Sequence, residues 1–186
     1  CGFGVAPAAR LVAAFGADAL AVVDVGDAVA IRRAGTGLPL LLYGGNLPTP
    51  ETVAAVTRFD LMPTLHDEAS AAGFLGATDA PLRVFLEVNV GGERLGFEPD
   101  AVPAMVARLR AIPRITIAGI YAHMHVPGDV PGDTTAEATI DWQFARLQAV
   151  LRELDAAGTA IPVRMTASSK TLILTTRMNL SAIDPG

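Results

Sequence analysis

Short apolar runs trade places along these 186 residues with longer stretches whose apolar positions recur at helical spacing. Pro7 to Phe15 reads as a helix and Ala19 to Val23 as a buried strand. Asp27 to Arg33 is helical and stops before Gly35, and Leu38 to Leu42 is a strand closed by Gly44-Gly45. Thr49-Pro50-Glu51 opens a helix with a capping hydroxyl, a proline in the first turn and an early acid. Leu61 to Leu65 is a short strand, after which Asp67 begins the next helix. Arg83 to Val88 alternates little and is mostly apolar, as expected of a strand buried on both faces. Val102, Met105, Val106 and Leu109 fall on one helical face, and Ile115 to Ala122 is again strand-like. Ile140, Phe144, Leu147, Leu151 and Leu154 make the clearest helical stripe. Val163 to Ala167 and Leu180 to Ile183 complete seven strand-like segments.

Strands alternating with helices predict an α/β chain with a parallel sheet. Seven strands allow an open doubly wound sheet or a (β/α)8 barrel with one strand missing. No G-x-G-x-x-G fingerprint follows the first strands; Cys1-Gly2-Phe3-Gly4 is too short and too close to the end, and there is no P-loop. Linkers, low-complexity tracts and domain boundaries are missing, which predicts one domain over 1–186. The polar, Gly/Pro-rich stretch from Pro127 to Thr135 is the expected mobile segment.

Composition narrows the partners. Net charge is -5 and no basic run exists, which argues against nucleic acid and anionic membrane. The apolar N-terminal region is broken by Arg10, Asp18 and Asp24, so it reads as neither a membrane span nor a signal peptide. The single cysteine, Cys1, excludes an internal disulfide and fits a reducing cytoplasm. Three histidines and one cysteine argue against a dedicated zinc site. Of 14 basic residues, Lys170 is the only lysine.

In a parallel α/β fold the chemistry collects at the carboxyl ends of the strands. Those ends carry Asp24, Tyr43, His66, Glu87 with Asn89, His123 with His125, Ser168-Ser169-Lys170, and Asp184. Asp24 and His66 also read as helix caps or loop residues. His123 follows an apolar run and also fits a satisfied core histidine. Glu87 and Arg94, separated by Gly91-Gly92, read either as a small-molecule site or as a structural ion pair near a tight turn. Ser168 and Ser169 form an N-cap pair or, with the backbone N–H groups near Gly186, a cradle for an anion such as a phosphate.

These residues resemble those of a known family, the alanine racemase-like barrels that use pyridoxal 5'-phosphate. Cys1-Gly2-Phe3-Gly4 stands where that family has Tyr-Gly-His-Gly. Gly16-Ala17-Asp18-Ala19-Leu20 is similar to its approach to the second strand. Glu87-Val88-Asn89-Val90-Gly91-Gly92-Glu93-Arg94-Leu95-Gly96-Phe97 resembles Lys-Val-Asp-Thr-Gly-Met-x-Arg-Leu-Gly. Gly119-Ile120-Tyr121-Ala122-His123 resembles Gly-Ile-x-Ser/Thr-His, with Gln143 and Phe144 in the helix beyond it. Ala167-Ser168-Ser169 resembles Asn-Ser-Ala, and Ile183-Asp184-Pro185-Gly186 resembles Val-Arg-Pro-Gly.

The resemblance implies a (β/α)8 barrel, here a fragment lacking most of the first strand and everything after the last, with the family's C-terminal β domain not present. It implies pyridoxal 5'-phosphate as cofactor and a cytoplasmic homodimer acting on a small amino acid. Arg94 would contact the cofactor's ring hydroxyl or the substrate carboxylate, and His123 would lie beside the ring. Ser168, Ser169 and Gly186 would hold the phosphate. The Schiff-base lysine would precede Cys1 by about four residues, unless it was lost or Lys170 substitutes for it. A lysine at that place equally serves as a phosphate counter-ion.

Three replacements depart from the pattern. Glu87 stands for a lysine that carries a carbamate in many relatives, and would hold Arg94 in a charge-assisted, bidentate-capable pair. Asp184 stands for the arginine that faces the pyridine nitrogen; a carboxylate there keeps that nitrogen protonated and the ring a stronger electron sink. Cys1 stands for a tyrosine that helps hold the phosphate, weakening that contact. The resulting expectation is a racemase acting at the substrate Cα. The alternatives are a decarboxylase, aldolase or dehydratase on the same barrel, prompted by Asp184, and a non-catalytic cofactor-binding or regulatory barrel.

Overall fold

The computed structural model describes residues 3–92, 94–126, 134–167 and 169–185. By contact density the chain divides into two compact units, Cys1–Phe85 with Arg114–Thr116, and Leu86–Pro113 with Ile117–Gly186.

The first unit contains α1 (Val5–Ala14), β1 (Leu20–Val22), α2 (Val25–Arg33), β2 (Leu40–Leu42), α3 (Pro50–Phe59), β3 (Met62–Leu65), α4 (Glu68–Ala77) and the start of β4 (Leu82–Glu87). Polar side chains cap α2, α3 and α4. Asp24 accepts the N–H groups of Gly26 and Asp27, Thr49 accepts that of Thr52, and Asp67 forms a capping box with Ser70. α2 therefore begins at Val25, ahead of the expected Asp27, because the Asp24 carboxylate already satisfies its first free donors. β1 pairs with β2 and β2 with β3, all parallel, in the registers Leu20↔Leu40 and Leu41↔Met62. Leu40, Leu42, Val53, Val56, Leu65 and Phe74 are buried in this unit.

Arg32 ties several of these pieces together. Its guanidinium donates to the carbonyls of Phe59 (2.9 Å), Thr36 (2.9 Å), Leu38 (2.6 Å) and Asp60 (3.2 Å). One planar fork thus gathers the C-terminal end of α3 and the loop entering β2.

The second unit holds the end of β4, a 3₁₀ turn (Pro99–Ala101), α5 (Val102–Arg110), most of β5 (Ile115–His123), α6 (Thr134–Ala156), β6 (Val163–Ala167), α7 (Ser169–Leu174) and β7 (Ala182–Asp184). The expected face of α5 is buried at Val102, Met105, Val106 and Leu109, and the stripe on α6 is buried at Ile140, Phe144, Leu147, Leu151 and Leu154. β5 pairs with β6 and β6 with β7, again parallel. β7 lies later than the expected Leu180 to Ile183. Ser181 is occupied instead with Arg164, accepting its N–H on the hydroxyl at 2.7 Å and donating a backbone N–H to its carbonyl at 3.1 Å. Most of the stretch expected to be mobile, residues 127–133, lies outside the described residues, and α6 starts at Thr134.

The strand order is β1 through β7 in chain sequence. A doubly wound sheet reverses its strand order at a switch point, and this one does not. The fold class is the (β/α)8 barrel type. No helix among the described residues is long and apolar enough to cross a membrane.

Candidate active site

β4 ends in a clamped excursion. The Asn89 N–H donates to the Phe97 carbonyl at 2.9 Å and the Phe97 N–H to the Glu87 carbonyl at 2.8 Å, so Val88 and Phe97 form an isolated parallel bridge. The chain leaves the sheet at Asn89 and returns eight residues later to the rung it left. Two devices shape the excursion. The Asn89 carbonyl oxygen Oδ1 accepts the Gly91 N–H at 3.0 Å, and its Nδ2 donates to Glu98 at 2.7 Å. Gly96, at φ +130°, passes so close to Val88 and Asn89 that a Cβ would come within 2.5 Å of the Asn89 nitrogen. Arg94 stands on this excursion, exposed.

Glu87, just before the excursion, is only 4% exposed. Its carboxylate accepts the Tyr121 hydroxyl at 3.0 Å. Burial pushes the Glu87 carboxyl above its ordinary value, and the Tyr121 bond and the Arg94 charge pull the other way. Glu87 was expected to hold Arg94 in a charge-assisted pair. Its hydrogen bond among the described residues is with Tyr121, and Arg94 acts on it through space.

His123 ends β5 and Asp184 ends β7, and the register puts them on one rung, His123↔Ala167↔Asp184. His123 is half-buried. Burial holds its imidazole below the ordinary value; the Arg94 charge lowers it further and Asp184 opposes both. Burial and the Arg94 charge thus both favour the neutral imidazole, against the pull of the Asp184 charge.

Of the residues picked from sequence, Glu87, Arg94, His123 and Asp184 form this electrostatic group within the second unit. Ser169 and Lys170 open α7, Lys170 exposed. Cys1, Ser168 and Gly186 lie outside the described residues. Within the first unit, Asp24 is a helix cap, and the Tyr43 carbonyl accepts Asn46 Nδ2 at 3.0 Å in the turn after β2. His66 is buried; its N–H donates to Ser70 Oγ at 3.0 Å, and its Nδ1 has no partner among the described residues.

Two participants, Tyr121 and Gln143, stand in motifs quoted above without a role of their own. Tyr121 looks like an ordinary apolar strand residue, and its bond to Glu87 depends on the register between neighbouring strands. Gln143, fully buried in α6, accepts the His125 N–H at 2.8 Å and donates to the His125 carbonyl at 2.7 Å. A lone glutamine on an otherwise apolar helix face was the one available signal for it.

The family model described as alanine racemase, N-terminal domain, matches residues 1–186. The chain belongs to this family. Among curated relatives of the family, it is 35% identical to the alanine racemase of Acidithiobacillus ferrooxidans over 133 residues, 71% of this chain and 36% of that one. It is 30% identical to the alanine racemase of Desulforamulus reducens, over all of this chain and 49% of that one. The solved alanine racemase of Clostridium difficile 630 matches 98% of the chain with TM-score 0.83 at 19% identity, covering 47% of that structure. That of Corynebacterium glutamicum matches with TM-score 0.79 at 25% identity, covering 50%. The chain thus spans about half the length, or less, of the alanine racemases it matches.

Proposed function

We propose that this chain is the cofactor-binding portion of a pyridoxal 5'-phosphate-dependent racemase acting at the Cα of alanine or a related small amino acid. The observation that carries the reading is the placement of half-buried His123 and of Asp184 on one rung at the strand ends, with Arg94 on the excursion after β4, in a chain matched over its whole length by the racemase family. The donor set suits that cofactor, which has an acidic ring hydroxyl, a basic ring nitrogen and a phosphate. Arg94 would meet the ring hydroxyl or the substrate carboxylate, Asp184 would meet the ring nitrogen, and the His123 imidazole would serve the ring. Ser168, Ser169 and the Gly186 backbone would hold the phosphate. When bound, the cofactor supplies an electron sink for a carbanion at the substrate Cα.

The chain's own residues orient and tune. Arg94 fixes the substrate and draws its position from the clamped excursion after β4. Glu87, bonded to Tyr121, adds a buried carboxyl that feels the charge of that cation. Asp184 would hold a proton at the ring nitrogen, and its charge opposes the lowering of His123 by burial and by Arg94. Racemisation also needs an acid/base group on each face of the Cα. In this reading they come from the remainder of the whole protein, a lysine ahead of Cys1 and a tyrosine from a partner's C-terminal β domain, which makes the working unit a homodimer. One cysteine in the chain fits the reducing cytoplasm.

The Asp184 carboxylate favours one second reading, decarboxylation or a related loss at the same Cα, because a protonated ring stabilises the carbanion more strongly. The two readings part in one experiment. The whole protein, purified with pyridoxal 5'-phosphate, is incubated in D2O with each common amino acid and followed by NMR and chiral chromatography. Deuterium at Cα with appearance of the opposite enantiomer supports the racemase. Release of carbon dioxide or of a side-chain fragment supports the second reading. Neither exchange nor release with any amino acid overturns both.

A further inference from the structure

We propose that Trp142 and Gln143, consecutive residues of α6, are positioning residues that hold the Arg94 excursion and the His123 strand end in register with each other. The inference rests on the site as read above and adds two residues to it.

Gln143 has no solvent exposure. Burying a primary amide costs free energy unless both its ends are bonded. Here both ends go to the backbone of one residue: Oε1 accepts the His125 N–H at 2.8 Å and Nε2 donates to the His125 carbonyl at 2.7 Å. Nε2 also reaches the Thr139 carbonyl at 3.3 Å. The side chain thereby does for His125 what a neighbouring strand would do, two residues after His123, where β5 has ended.

Trp142 closes the other side. Its indole lies on Gly91, where a Cβ would come within 2.3 Å of the ring. The Arg146 guanidinium covers the ring at 5.0 Å and reaches Glu98 at 3.5 Å. Glu98 accepts from Asn89, and Asn89 accepts the Gly91 N–H, so the chain of contacts returns to the glycine under the indole. Gly92 lies between the two anchors. A Cβ there would approach His125 Cβ at 3.3 Å and Gln143 Oε1 at 3.5 Å. Arg94 follows Gly92 by two residues, and His123 precedes His125 by two. One turn of one helix thus sets both arms of the site.

The charged groups facing His123 are Arg94 and Asp184. If α6 sets the Arg94 separation, loosening the clamp reduces the Arg94 field at the imidazole. The test uses the whole protein loaded with pyridoxal 5'-phosphate and labelled at histidine, with His123 titrated by NMR in Gln143→Leu and Gln143→Glu. We expect Gln143→Leu to raise the His123 midpoint toward its ordinary value and to lower kcat/KM roughly tenfold. Gln143→Glu keeps both bonds only while its carboxyl is protonated, so its His123 signal should match the parent at acid pH and diverge as the carboxyl ionises. A folded Gln143→Leu protein whose His123 titrates as in the parent overturns the proposal. Should Gln143→Leu fail to fold, a Gln143→Glu protein that follows the parent at every pH overturns it. The titration is read without turnover, so a protein inactive on amino acids would sink the racemase reading and leave this readout intact.

Discussion

Tyr121 donates its hydroxyl to Glu87 at 3.0 Å, joining two neighbouring strand ends through a carboxylate that is almost wholly removed from water. The carboxylate therefore has a role in packing as well as in the field around Arg94, and the two can be separated by experiment.

Tyr121→Phe keeps the ring and deletes the bond. It should cost about 1–3 kcal/mol, because the buried carboxyl loses a hydrogen-bonding partner. Chemical denaturation of the whole protein at neutral pH measures it.

The raised Glu87 value sets a sign for stability against pH. Folding favours the protonated form, so this stabilisation is complete below the unfolded value and is lost as pH rises through the folded one. Glu87→Gln removes the titration and still accepts from Tyr121. Its Tm should therefore gain on the parent as pH climbs from the ordinary carboxylate range toward neutrality. Parallel Tm curves for the two proteins would rule out a buried titrating carboxyl.

His123 titrates in the opposite sense. Its depressed value means that stability is complete above the unfolded value and is lost as pH falls toward the folded one. Asp184→Asn removes the group that opposes the depression. The His123 midpoint should drop further and the acid loss should extend to lower pH, both readable by NMR titration and thermal melts. An unmoved midpoint would place Asp184 away from the imidazole.

Gly91→Ala should destabilise by about 2 kcal/mol or more, since it adds a methyl against Trp142 at a backbone of φ +98°. In a Trp142→Ala background the steric part should vanish and the backbone part remain. A double-mutant cycle reads the difference as coupling. Gly96→Ala should show no such rescue, because its neighbours are backbone atoms that no side-chain change moves.

The parts of the fold built from periodicity were open to sequence reading. The apolar run of β4 and the stripes of α5 and α6 follow from burial alone, so residue type reveals them. Strand ends were harder. β7 slides toward Asp184 because Ser181 pairs with Arg164, a contact between residues distant in sequence. The same limit applied at the site. Glu87, Arg94, His123 and Asp184 could be named because charged or titratable groups at the ends of apolar strands are conspicuous. Tyr121 and Gln143, present in the quoted motifs, had no role assigned, because an inward tyrosine and a helical glutamine show their partners only once register and helix placement are known. The Tyr121 hydroxyl on Glu87 is of that kind, a partner beside the expected Arg94 charge that only the register between strands reveals.

The excursion after β4 departs from the rung at Val88 and rejoins it at Phe97. The part beyond Gly92, around Arg94, could be recoded while both hinge points stay bonded and the strand beneath keeps its pairing, whereas Gly91 and Gly92 stay tied to α6. Change at Arg94 and its neighbours is thereby decoupled from the sheet, and change at the two glycines is not.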